Sequence, residues 1–151
     1  MRAALLALSA LVSVAAAEPQ PSTLRPYGVE GDAITASLTG QVGDAARGAQ
    51  LLQQRQKSLC VLCHSGPFPD SHLQGTLAPD LRGVGSRLSA GQLRLRIVDI
   101  KRLNPASIMP SYYAITANGA GSRIAAERRS QTILEADEIE DLVAYLQTLQ
   151  Q

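Results

Sequence analysis

The sequence predicts an all-α domain in which three main helices, joined by long loops, follow an extended N-terminal arm. Three observations carry this. Apolar residues recur at helical spacing in three separate segments. No alternating run is long enough to suggest a sheet. Prolines and glycines cluster between the periodic segments rather than inside them.

The 151-residue chain begins with Met1 and Arg2 as a short positive region. An apolar run from Ala3 to Val14 follows, then Ala15-Ala16-Ala17 as a small-residue cleavage site before Glu18. This is the pattern of a signal peptide, with cleavage expected after Ala17. An uncleaved anchor is the alternative. It is disfavoured because the run is short for a bilayer and Glu18-Pro19-Gln20-Pro21 breaks any helix that extends it. No later stretch approaches membrane-spanning length, so no membrane span is expected after cleavage. Export places the mature chain in a periplasm.

Residues 18 to 43 carry Pro19, Pro21, Pro26 and several glycines and threonines, which predicts the extended arm. Residues 44 to 151 form the domain itself. Asp44 offers an N-cap for a first helix running through Gln56, with Ala45, Gly48, Ala49 and Leu52 toward one side. From Ser65 to Gly85, Gly66-Pro67-Phe68-Pro69 and Ala78-Pro79-Asp80 predict irregular loop. Ser89 caps a second helix over Ala90 to Leu103, with Leu93, Ile97 and Ile100 on one face, and Asn104-Pro105 stops it. Residues 106 to 130 are mixed, with Asn118-Gly119-Ala120-Gly121 as a turn. The last helix opens on acid at Glu135-Ala136-Asp137-Glu138, and Ile139, Leu142, Val143, Leu146 and Leu149 draw its apolar stripe.

Composition excludes some functions. Loss of Arg2 with the leader takes the formal charge from +1 to zero, so no polybasic footprint remains and no nucleic-acid partner is expected. With no Trp, one Phe and four Tyr, the chain is thinly supplied with aromatic core material. A large apolar cofactor would make up that deficit.

The cofactor is named by Cys60-Val61-Leu62-Cys63-His64, which contains both cysteines of the chain. Each thiol in such a pair adds across one haem vinyl to give a thioether, and the adjacent imidazole becomes an axial ligand of the iron. A structural zinc site wants four ligands, and only His72 is left over. A thioredoxin-like pair needs a βαβ setting that this sequence lacks. The expected cofactor is one covalently attached haem c.

After cleavage Met109 is the last methionine, in a loop before Pro110. A thioether is a soft, neutral donor, and a His/Met pair raises the potential into an electron-transfer range. Met109 is therefore the expected distal ligand. His72 is the competing donor, although its loop would have to wrap round the haem edge, and an open sixth position or a ligand from elsewhere is the remaining alternative. A ligating imidazole donates its other N–H to an acceptor, for which the carbonyl of Pro79 is placed. Arg87 or Arg82 would pair a haem propionate, each with a solvated surface arginine as the equal alternative.

Beyond the pentapeptide, Leu77-Ala78-Pro79-Asp80-Leu81-Arg82-Gly83-Val84-Gly85-Ser86-Arg87, Met109-Pro110 and the terminal Glu140 to Leu146 helix follow in order. Together they resemble a class I c-type cytochrome, three helices around a covalently bound haem. Within that class, Gln92 to Asp99 and Asn104-Pro105-Ala106-Ser107-Ile108-Met109-Pro110-Ser111-Tyr112-Tyr113 are similar to the SoxX family, the small monohaem subunits of sulfur-oxidising SoxAX cytochromes. Gly31 to Ile34, Leu38-Thr39-Gly40 and His64 to Pro69 strengthen the resemblance, which runs from about Val29 to Leu149.

The resemblance implies Cys60 and Cys63 as haem attachments, His64 as proximal ligand and Met109 as distal ligand. It also implies a SoxA-like c-type partner carrying the sulfur chemistry of a heteromeric L-cysteine S-thiosulfotransferase. In that reaction thiosulfate is oxidatively joined to a cysteine of the carrier SoxYZ, and the electrons pass to a soluble cytochrome c. With both thiols consumed as thioethers, this chain has no sulfur nucleophile of its own. The arm and Tyr112-Tyr113 are expected to contact the partner. A free-standing periplasmic electron-transfer cytochrome, or a haem sensor with a displaceable sixth ligand, are the other readings.

Overall fold

A side-chain cap starts each side of the scaffold. Asp44 accepts hydrogen bonds from the backbone N–H groups of Ala46 (2.8 Å) and Arg47 (3.1 Å) and so opens α1, Ala45–Leu52. These contacts belong to a computed structural model that describes residues 24–113 and 132–151. The expected signal peptide, the first residues of the arm and the expected turn at Asn118 to Gly121 lie outside the described residues.

The helices follow as α2 (Cys60–Cys63), α3 (Val84–Arg87), α4 (Ala90–Asp99) and α5 (Ala136–Thr148), with one-turn 3-10 segments at Ser71–Leu73 and Ile100–Arg102. Among the described residues there is no strand, only an isolated bridge between Glu30 and Ala33. α4 opens on a reciprocal capping box, in which the Ser89 hydroxyl accepts from Gln92 N–H and the Gln92 side chain accepts from Ser89 N–H. α5 opens the same way, between Glu135 and Glu138.

The expected first helix runs on to Gln56; the observed one stops at Leu52. Gln53 to Lys57 are all exposed, so no apolar face holds a further turn, and the chain instead coils to bury Ser58. The hydroxyl of Ser58 donates to the Leu52 carbonyl at 3.0 Å. The second helix keeps α geometry only to Asp99 and tightens to 3-10 over Ile100–Arg102.

α5 is the centre of the fold and packs against α1, α3 and α4. Its crossing with α1 is close because of Gly48, where a Cβ would stand 2.0 Å from the Asp141 carbonyl oxygen. The core behind it is aliphatic: Leu52, Leu95, Val98, Ile139 and Leu142 are almost wholly buried.

A buried ion pair ties three elements together. Arg94 of α4 grips Glu140 of α5 in bidentate fashion through Nε and Nη2, both at 2.8 Å, and its Nη1 donates to the Ile34 carbonyl at 2.6 Å. Glu140 in turn accepts the Leu38 N–H at 2.8 Å. The later part of the arm is thereby laid onto the helices, with Ile34 and Leu38 inside the core.

The expectation that Tyr112 and Tyr113 form a partner surface is corrected. Both are buried, at 3% and 2% exposure. Their backbone N–H groups donate to the carbonyls of Ile97 and Val98 at the end of α4. The Tyr112 hydroxyl donates to the Ser58 carbonyl, and the Tyr113 hydroxyl accepts the Arg25 N–H at 2.8 Å. A tyrosine with both its ring packed and its hydroxyl satisfied is core, not interface.

Candidate haem site

α2 is one turn long, which sets Cys60 and Cys63 on one face at helical i, i+3 spacing. His64 closes the turn, its N–H donating to the Cys60 carbonyl at 2.9 Å, and its backbone then leaves in extended conformation. The following loop is sewn back onto this segment by backbone hydrogen bonds. Gly75 N–H donates to the Val61 carbonyl (2.8 Å), Ala78 to Cys63 (3.0 Å) and Leu81 to Ser65 (2.8 Å). Gly75 is required there, since a Cβ would meet the Leu62 carbonyl oxygen at 2.0 Å.

That stitching delivers the Pro79 carbonyl to His64. The imidazole Nδ1 lies 2.7 Å from it, and because a carbonyl only accepts, Nδ1 is the donor, which leaves Nε2 as the ring nitrogen available to a ligand. Asp80 steadies the loop: its carboxylate accepts the Arg82 N–H at 2.7 Å and the Ser65 hydroxyl at 2.8 Å, which hold its pKa below the usual carboxylate range. Arg87 adds a second brace, donating to the carbonyls of Arg82 (2.6 Å) and Asp80 (3.3 Å).

These groups border a cavity of about 740 Å³. Cys60, His64, Pro79, Arg87 and Met109 all line it. Its walls are otherwise mostly aliphatic: Leu52 from α1, Leu93 and Ile97 from α4, and Leu142 and Leu146 from α5. Met109 is delivered by the loop after α4, where the Ser107 hydroxyl accepts the Met109 N–H at 3.2 Å. Cys63 sits one helical turn from Cys60 rather than in the cavity wall. His72 and Arg82 do not line the cavity, and His72 is exposed on its 3-10 turn.

Tyr112 and Arg96 are among the lining residues that the sequence reading did not place at the site. Tyr112 closes the cavity beside Cys60, and burial pushes its hydroxyl well above the ordinary tyrosine range, so it stays a donor to Ser58. Its only sequence signal was its place three residues after Met109. Arg96 also reaches the cavity from α4, where an isolated arginine in a helix reads as solvent-facing.

The residues fit a large, flat, apolar macrocycle with an iron centre. The cavity is of small-molecule size and predominantly apolar, with the Cys60 thiol, the His64 imidazole and the Met109 thioether on its wall and the Cys63 thiol one helical turn from Cys60. Burial raises the Cys60 thiol pKa, so the chain does not present it as a free thiolate nucleophile. No group of three or more candidate His, Cys, Asp or Glu ligands for a bare metal ion occurs among the described residues.

Comparison with known proteins agrees with this chemistry. The cytochrome c family profile matches residues 45–150. A chain of the crystal structure of SoxXA from P. pantotrophus superposes with a TM-score of 0.72 at 31% identity, covering 87% of this chain and 100% of that one. No curated protein matches significantly. With a family match over most of its length and this structural relative, the chain belongs to the cytochrome c family, whose members carry covalently bound haem c, and within it is a SoxX-type monohaem cytochrome of all-α, class I fold.

Proposed function

We propose that this protein is the monohaem electron-transfer subunit of a SoxAX complex. In this reading it accepts the electrons released when thiosulfate is oxidatively conjugated to a cysteine of the carrier SoxYZ, and passes them to a soluble cytochrome c. The observation that carries the proposal is the likeness to a SoxXA chain over 87% of this chain, together with a cavity that gathers Cys60, His64 and Met109.

Haem, when bound, supplies reversible one-electron exchange at its iron. The chain's own residues do the rest. Cys60 and Cys63 would hold the macrocycle through one thioether each, and His64, through Nε2, and Met109, through its sulfur, would hold the iron. The Pro79 carbonyl holds the His64 ring in one orientation through Nδ1. Arg87 borders the cavity and is assigned to a haem propionate. Leu52, Leu142 and Leu146 keep water from the cavity, which lowers the local dielectric and tunes the potential.

Because both thiols are committed to attachment, the sulfur nucleophile belongs to a SoxA-like partner. The amino-terminal signal pattern supports export and a periplasmic location, with removal after Ala17. No helix of the described residues is long and apolar enough to cross a membrane.

Purification from thiosulfate-grown cells tests the proposal. The expected result is recovery with a larger c-type cytochrome chain through gel filtration. Recovery as a monomer at every ionic strength would contradict it and leave a free-standing periplasmic cytochrome.

A further inference from the structure

Arg94 and Arg96 stand two residues apart on α4 and face different ways. The Arg94 guanidinium is fully committed, with Nε, Nη1 and Nη2 each bonded inside the core. Arg96 is not. Its Nη1 donates to the Gln92 carbonyl at 2.9 Å, and its Nη2 stands 3.6 Å from an Asp32 carboxylate oxygen, beyond hydrogen-bond range. Among the described residues no other acceptor meets its remaining donors, and the side chain is only 29% exposed while lining the cavity.

A half-buried cation with unused donors in a mainly aliphatic cavity calls for an anionic oxygen partner. Asp32 supplies part of it from outside, but that carboxylate is itself 52% exposed and accepts the Gln92 amide at 2.9 Å. We propose that Arg96 is a carboxylate-binding residue of the haem site, taking the second propionate while Arg87 takes the first, and that Asp32 of the arm moderates its charge. The proposal rests on the reading of the cavity as the haem site. It gives the arm a part in setting the potential, because Asp32 is the group of the arm that faces a cation on the cavity wall.

A guanidinium beside a propionate cancels negative charge near the iron and so disfavours the ferric form. Potentiometric titration of the full chain is the test. Arg96→Gln should lower the ferrous-to-ferric ratio several-fold at fixed poise, Arg96→Lys should restore most of it, and Asp32→Asn should raise it. Equal potentials for wild type and Arg96→Gln, both carrying haem, would overturn the role of Arg96. Should Arg96→Gln fail to fold, Asp32→Asn decides, since that variant keeps the guanidinium and an unchanged potential in it would equally contradict the proposal. Haem staining after denaturing electrophoresis separates the two levels: wild-type protein without covalent haem would sink the haem-site reading itself.

Discussion

The α1, α4 and α5 side of the molecule and the loop side around Cys60, Pro79 and Met109 are held together by different means. On the helix side, side chains do the joining: Gly48 admits α5, aliphatic residues interlock, and Arg94 locks onto Glu140. On the loop side the backbone does it, through hydrogen bonds from Gly75, Ala78 and Leu81 to the attachment segment. The helix side packs into a core and lends Leu52, Leu93, Ile97, Leu142 and Leu146 to the cavity wall, whereas the loop side brings Cys60, Pro79 and Met109 to it. The lesson is a division of labour, in which a rigid scaffold carries stability and loops carry donor atoms to one place.

If that division holds, damage to the scaffold should cost stability first. Arg94→Ala strands the Glu140 carboxylate in the core and is expected to destabilise the protein by about 3–5 kcal/mol, measured by denaturant unfolding of the haem-loaded chain. A loss below about 1 kcal/mol would mean that the pair contributes no more than a surface ion pair.

The smallest expected effect lies at the edge of the same scaffold. Asp44 has its pKa lowered by the Arg47 and Ala46 N–H groups it caps, so its contribution is present above the ordinary carboxylate range and fades as pH falls through the depressed value. Asn caps comparably but does not titrate. Asp44→Asn should therefore flatten the decline in melting temperature between about pH 5 and about pH 3. An unchanged acid slope would show that Asp44 contributes nothing to acid sensitivity.

The same division explains what the sequence disclosed. The stripe of Ile139, Leu142, Val143 and Leu146 and the cap at Ser89 are local patterns, and both stand in the structure as read. The one-turn helices at Cys60–Cys63 and Val84–Arg87 had no signal, because a single turn carries no periodicity and is held from outside. Arg94 and Glu140 meet across 46 positions, a pairing that no local pattern encodes. Ile34 and Leu38 sat in a stretch without a repeat, so their burial was invisible until α4 and α5 were in place. At the site, Cys60, His64 and Met109 were singled out by residue type, and all three line the cavity. Tyr112 and Arg96 were not, because only the fold turns them toward the cavity.

The central claim is that the loops bring His64 and Met109 to one haem iron. The near-infrared charge-transfer band of the ferric protein, which reports methionine sulfur on the iron, tests it most directly. The band should be present in the wild type, retained in His72→Ala and lost in Met109→Ala. Its absence from the wild type, or its persistence in Met109→Ala, would contradict the account.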